Sequence, residues 1–154
     1  MKVLFVCLGN ICRSPSAEGL FRQQLKSAGL SSQVTVDSAG TAAWHIGNPP
    51  DKRSQQAALK RGYDISNLKA RQVQPEDFLH FDLILAMDKS NLDDLKAIAP
   101  KEAKAQLSLY LQRYSLAYSE VPDPYYGGEE GFELVLNLLE QAGSHLLDEV
   151  RESL

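Results

Sequence analysis

The run Val3-Leu4-Phe5-Val6-Cys7-Leu8-Gly9-Asn10-Ile11-Cys12-Arg13-Ser14-Pro15 decides the fold. Its first five residues are continuously apolar, the pattern of a strand covered on both faces in a parallel sheet. Gly9 and Asn10 break the run, and Ser14-Pro15 offers an N-cap and a first helical residue. Ala17, Leu20, Phe21, Leu25 and Ala28 then recur at helical spacing as far as Gly29. Gln33 to Ser38 alternates as a second strand that ends at Ala39-Gly40. Strand, helix, strand is the unit of parallel α/β folds.

Outward from that unit, Thr41 to Pro50 is a loop carrying the only tryptophan, Trp44, and Asp51 to Arg61 is a helix stopped by Gly62. A short helix is expected near Pro75, a third strand over Phe81 to Met87 and a helix over Asp88 to Ile98. Ala105 to Leu111 is the fourth strand candidate, and Val121 to Gly128 is rich in turn residues. Glu129 to Glu152 carries Phe132, Val135, Leu136, Leu139, Leu146 and Val150 on one face, which predicts a long C-terminal helix. With no repeat, low-complexity tract or linker, residues 1–154 form one predicted domain.

Composition narrows the function. At 44% hydrophobic and 23% charged residues the chain is neither disordered nor fibrous. Sixteen Lys plus Arg against twenty Asp plus Glu leave a formal charge of -4, which argues against nucleic acid and anionic membrane as partners. The apolar run Val3 to Leu8 is too short for a signal core or a membrane span, so no membrane insertion is expected. Two closely spaced cysteines make no disulfide scaffold and point to chemistry in a reducing compartment, the cytoplasm.

That chemistry centres on Cys7 to Ser14. A tight turn from a strand into a helix N-terminus gathers backbone N–H groups into one concavity, with the helix dipole behind them. Arg13 adds a fork able to grip two phosphate oxygens. Helix start, guanidinium and a hydroxyl at Ser14 together favour the thiolate of Cys7. The expectation is a nucleophile at the floor of a phosphate cradle. Cys12 is open between a packed, inert thiol and a redox partner for Cys7. A thiolate that displaces an aryl or alkyl oxygen from phosphorus needs an acid to protonate the leaving group. Asp123, fixed between Pro122 and Pro124 and followed by Tyr125-Tyr126, competes for that role with a plain turn function.

Cys7 to Ser14 at the end of the first strand resembles the signature of the low-molecular-weight protein tyrosine phosphatases, and Asp123-Pro124-Tyr125-Tyr126 resembles that family's acid loop. The similarity extends through Asp37-Ser38-Ala39-Gly40-Thr41, Lys69-Ala70-Arg71-Gln72 and Phe81-Asp82. The resemblance implies a three-layer α/β domain, a four-stranded parallel sheet flanked by helices, with the phosphate-binding loop after strand 1. It implies hydrolysis of protein phosphotyrosine and small aryl phosphates through a phosphocysteine, with no metal and no cofactor. Cys7 would be the nucleophile, Arg13 the phosphate clamp, and Asp123 the acid and then the base for water. Leu8, Gly9, Asn10, Ile11, Cys12 and Ser14 would bind substrate phosphate, with Trp44, Tyr125 and Tyr126 walling the slot for the ring. Asn10, Ser14 and Ser38 would support the loop. Phosphate or vanadate would occupy the site, phosphotyrosine proteins would be the partners, and the chain would be a monomer.

One departure stands out: where many animal members carry a His before the Lys-Ala-Arg-Gln stretch, this chain has Leu68. Arsenate reduction in this fold calls for further cysteines, and none follows Cys12. A phosphocarrier would need no acid loop, and a phosphotyrosine-reading module would need neither thiol nor acid. The physiological substrate stays open between a tyrosine kinase, a polysaccharide-export component and arginine phosphate. His45, His80 and His145 lack ligand spacing, and Lys52-Arg53 and Lys60-Arg61 are expected on a solvated helix face.

Overall fold

The computed structural model describes Met1 to Leu154 as a single α/β domain. In chain order the elements are β1 (Lys2–Cys7), α1 (Arg13–Ser27), β2 (Thr35–Gly40), α2 (Lys52–Lys60), α3 (Asp77–His80), β3 (Leu83–Ala86), α4 (Lys89–Ile98), β4 (Gln106–Leu109), α5 (Tyr110–Arg113) and α6 (Glu129–Ser153). The four strands form one sheet in the order β2-β1-β3-β4, every pair parallel.

The opening run is covered on both faces, and its side chains alternate between two cores. Val3, Phe5 and Cys7 join Leu83, Leu85 and Met87 against α1 and α6, where Leu20, Phe21, Leu25, Phe132, Val135, Leu136 and Leu139 pack. Leu4 and Val6 join Ile84 and Ala86 on the other face, against Val73, Phe78, Phe81 and Leu95. Three layers result, with the sheet in the middle. No helix is long and apolar enough to cross a membrane.

Several sequence expectations shift. The second strand starts two residues late, at Thr35, and runs through Ala39-Gly40, because Cys7 pairs with Gly40 at the end of the β1 register. Residues 110 and 111 leave the fourth strand to begin α5. Ser14 is not an N-cap: α1 starts at Arg13, Cys12 holds the cap position without a side-chain bond, and the Ser14 hydroxyl is committed elsewhere. Arg61 is not solvated but sits half-buried between α2 and α6, donating to the carboxylates of Glu133 and Glu140.

In an open sheet, ligands bind beyond the carboxyl ends of the strands where the order reverses. Here β1 connects forward to β2 on one side while β3 lies on its other side, so the reversal falls at β1. The residues after Cys7 emerge at that point.

Candidate active site

Residues 8–12 turn the chain from β1 into α1 in a conformation that sorts their polar groups. The carbonyls of Cys7, Leu8, Ile11 and Cys12 accept from the amides of Thr41, Ala42, Asp51 and Ser16, at 2.8–3.3 Å. The amides of Leu8, Gly9, Asn10, Ile11 and Cys12 donate to no group of the chain. Carbonyls tied away and consecutive amides left free make an anion nest at a helix N-terminus.

Two backbone features permit this turn. Asn10 has φ 57°, in the left-handed region that asparagine tolerates better than most side chains. Gly40 lies against the turn, where an added Cβ would meet the Leu8 carbonyl oxygen at 2.7 Å and the Asn10 nitrogen at 3.1 Å. Any side chain at 40 would displace the loop.

Behind the nest is a buried chain of hydrogen bonds whose direction can be worked out. The Arg71 amide donates to Asn10 Oδ1 at 3.0 Å, which turns Asn10 Nδ2 toward Ser14 Oγ at 2.7 Å and Ser38 Oγ at 3.0 Å. Ser38 donates in turn to Glu18 Oε1 at 2.8 Å. Ser14, already accepting from Asn10, has its own hydrogen free for Cys7 Sγ at 3.0 Å or for the Ala39 carbonyl at 3.4 Å, and a thiolate at Cys7 is the stronger acceptor. Asn10, Ser14 and Ser38 therefore stand behind the cavity wall rather than on it.

Glu18 anchors this network and is missed by sequence reasoning. It is 3% exposed, and Arg22, one turn along α1, grips its Oε2 through Nε and Nη2 at 2.9 and 2.7 Å. Burial raises its pKa, opposed by the bonds from Ser38 and Arg22. A glutamate on the apolar face of α1 with an arginine four residues on was the available signal.

Arg13 is buried at 3% exposure and fixed by partners from distant loops. Its Nη1 donates to Asp88 Oδ2 at 2.6 Å and to the Val121 carbonyl at 3.0 Å. Its Nη2 lies 3.7 Å from Asp123 Oδ2. Burial works against the Arg13 charge, but Cys7, Asp88 and Asp123 outweigh it and raise its pKa. Asp88, also unforeseen, has two tasks: Oδ1 caps α4 by accepting from the Asn91 amide at 2.8 Å, and Oδ2 holds the guanidinium. It follows β3 as the cradle follows β1, which places it alongside.

The cavity above holds about 200 Å³ and is lined by Cys7, Leu8, Gly9, Ile11, Cys12, Arg13, Trp44, His45, Asp123, Tyr125 and Tyr126. Trp44 and Tyr126 are 71% and 93% exposed and form an aromatic mouth, with the Tyr125 and Tyr126 rings 5.0 Å apart edge to face. His45, one of the three histidines without ligand spacing, joins the wall. Asp123 Oδ1 accepts from the Tyr125 amide at 3.1 Å in a local turn, and Oδ2 faces Arg13 across the cavity. Both cysteines are free thiols. Burial pushes the Cys12 thiol up to about 12, against a bond from Ser54, so Cys12 stays protonated at neutral pH. No group of three or more His, Cys, Asp or Glu side chains is arranged to hold a metal ion.

A family model described as low molecular weight phosphotyrosine protein phosphatase matches residues 2–154. The chain belongs to this family. It is 47% identical over 156 residues to a putative low molecular weight protein-tyrosine-phosphatase of Synechocystis, covering 100% of this chain and 99% of that one. A protein tyrosine phosphatase from Entamoeba histolytica, solved with Hepes in its active site, superposes with a TM-score of 0.94 at 40% identity, over 99% of this chain and 98% of that one. A Drosophila arginine phosphatase superposes at 0.91 with 32% identity, over 97% of each chain. The chain is accordingly a protein-tyrosine phosphatase with the family's four-stranded parallel α/β fold.

Proposed function

We propose that this chain hydrolyses phosphotyrosine in proteins, and small aryl phosphates, by two displacements at Cys7 without a metal. The reading rests on one observation: four residues with unpaired amides (Leu8, Gly9, Ile11 and Cys12), the Arg13 guanidinium, the Cys7 sulfur and the Asp123 carboxyl all border a single cavity.

Phosphotyrosine enters with its ring between Trp44 and the Tyr125/Tyr126 side. The loop amides and Arg13 bind the three non-bridging oxygens, so donors fixed before the reaction meet the charge of the transition state. The Cys7 thiolate, receiving the Ser14 hydrogen, attacks phosphorus in line. The bond from phosphorus to the tyrosyl oxygen breaks, and Asp123 gives its proton to that oxygen. Asp123, now a carboxylate, takes a proton from water as the water attacks the thiophosphate. The sulfur leaves as thiolate, and inorganic phosphate is released. Asp88 and Val121 aim the guanidinium; Glu18, Ser38 and Asn10 orient the hydrogen on Ser14.

The test compares release of phosphate from phenyl phosphate, 4-nitrophenyl phosphate and phosphoarginine, with chelator present. Wild type should act on both aryl esters and prefer them to phosphoarginine. Asp123→Ala should lower kcat/KM for phenyl phosphate by ~10²–10³-fold and for 4-nitrophenyl phosphate, whose leaving group needs little help, far less. Equal losses would remove Asp123 from the acid role. Preference for phosphoarginine would reassign the substrate to the class named for the Drosophila relative.

A further inference from the structure

Arg53 has no part in the steps above and borders no part of the cavity, yet it joins the two loops that make it. Its base is the turn before α2. The Asp51 amide donates to the Ile11 carbonyl of the cradle at 2.8 Å. The Asp51 carboxylate accepts from the Arg53 amide at 2.8 Å, from Nε at 3.1 Å and from Nη2 at 3.1 Å, a fork-to-fork pair. Nη2 also donates to the Tyr125 carbonyl at 3.0 Å. The Tyr125 amide in turn donates to Asp123 Oδ1 at 3.1 Å. The guanidinium lies 5.4 Å from the Tyr125 ring centroid and 4.9 Å from that of Phe132 at the start of α6.

One connected path therefore runs from Ile11 in the nucleophile's loop through Asp51, Arg53 and Tyr125 to Asp123. Pro124 is buried against Gly131 of α6, but few polar contacts tie the outer part of the acid loop to the body. Val121 is anchored by its amide to the Met87 carbonyl at 2.8 Å and by its carbonyl to Arg13, but these bonds lie before Asp123. Beyond Asp123 the backbone bonds of the loop are local: Gly127 to Pro124 and Gly131 to Gly128. Arg53 is the long-range polar contact on that side. An arginine suits the task, since one planar fork meets a carboxylate and a carbonyl while its face covers two rings. Lysine offers neither plane.

We infer that Arg53 is a positioning residue for the acid: a strut that holds the Tyr125 segment, and with it the Asp123 carboxyl, at a fixed height over the phosphate cradle. The inference rests on Asp123 being the acid. It assigns Arg53 to the proton transfers of Asp123, of which leaving-group protonation is the one kcat/KM reads, and not to phosphate binding, which the loop amides and Arg13 carry out.

The decisive experiment is kcat/KM for phenyl phosphate and for 4-nitrophenyl phosphate in Arg53→Met, Arg53→Lys, Asp123→Ala and the double variant Arg53→Met/Asp123→Ala. Methionine keeps the aliphatic stem and removes the fork, at a side chain already 44% exposed, so folding is preserved and a thermal melt verifies it. Arg53→Met should lower kcat/KM for phenyl phosphate roughly tenfold, as expected for a misplaced catalytic group. It should leave 4-nitrophenyl phosphate and inhibition by inorganic phosphate within about twofold, since those do not draw on the acid. Arg53→Lys should fall between Met and wild type. In the Asp123→Ala background the Arg53 substitution should cost nothing further, because there is no acid left to misplace. Equal losses on both esters, or a tenfold loss that persists without Asp123, would overturn the strut. A second readout stands apart from the acid assignment: amide hydrogen exchange over residues 125–127 should quicken in Arg53→Met, and unchanged exchange would also overturn it. Should Asp123→Ala alone show no leaving-group dependence, the acid assignment fails, and the exchange measurement still decides whether Arg53 holds the loop.

Discussion

Glu18 on α1 and Glu149 on α6 are both held by an arginine's Nε and Nη2, and they differ in what the hold achieves. Arg22 grips Glu18 at 2.9 and 2.7 Å, and Arg113 grips Glu149 at 2.9 and 2.6 Å. Yet burial raises the pKa of Glu18 in spite of Arg22, while Arg113, aided by Tyr114, lowers that of Glu149. The donors are matched, but Arg22 sets both on Glu18 Oε2 while Arg113 spans both oxygens of Glu149, and the depths differ. Glu18 is buried, whereas the Glu149 side chain is 29% exposed. A paired charge stabilises where water still reaches it and works against stability where water does not. The same contrast holds more widely. Asn10, Arg13, Ser14, Glu18 and Ser38 are all buried at the carboxyl ends of β1 and β2, while the α1–α6 layer beneath is almost wholly apolar. One region is organised around chemistry and the other around the hydrophobic effect.

The largest expected effect would separate the two regions outright. Cys7→Ser exchanges one atom at the cradle floor and should cut turnover of aryl phosphates by on the order of 10⁴-fold or more. Phosphate binding and the melting temperature should change little, because the nest and the core are untouched. Wild-type turnover in this variant would remove Cys7 as nucleophile. Leu139→Ala makes the reverse cut. Leu139 is fully buried in the α1–α6 layer, and its truncation should cost ~2–5 kcal/mol in a denaturant titration. Its kcat/KM per folded molecule, measured cold, should match wild type. A loss of activity without unfolding would show that the apolar layer sets the cradle's geometry after all.

How much of this was legible in the sequence follows the same division. The β1 run and the turn after it are local: an apolar strand, a Gly-Asn break and a helix start in thirteen residues announce both fold and nest. Asp123 stands out as a candidate because two prolines stiffen its segment, and the fold brings it to the cavity. Asp88, Glu18 and Arg53 were not legible, because each acts through a pairing across the fold or across a helix turn. Asp88 lies 75 residues from Arg13, and Arg53 lies 72 from Tyr125. Ser14 misleads for a related reason. A Ser before a Pro matches a helix cap, but Asn10 already bonds its hydroxyl, and the helix begins without it.

The smallest effect tests the opening contrast directly, through pH. Glu149 has its pKa lowered in the folded state, so the unfolded chain binds more protons in the acid range. Its stabilisation is present above the unfolded carboxylate value, about 4.3, and is lost as pH falls through the folded value. Glu18 has its pKa raised, so the folded chain binds more protons there. Its contribution is present below about 4.3 and is lost as pH rises through the folded value. Glu149→Gln and Glu18→Gln keep size while removing each titration; the bonds an amide nitrogen cannot accept are lost at every pH and leave the slope of the difference curve unchanged. Between pH 3 and 7, the melting temperature of Glu149→Gln relative to wild type should fall as pH rises, and that of Glu18→Gln should climb. Two difference curves of opposite slope would confirm that α1 holds its glutamate against its ionisation while α6 draws stability from the ionisation of its own. Parallel slopes would mean that Arg22 more than offsets the burial of Glu18, and that the cradle's anchor stabilises the fold as an ordinary ion pair does.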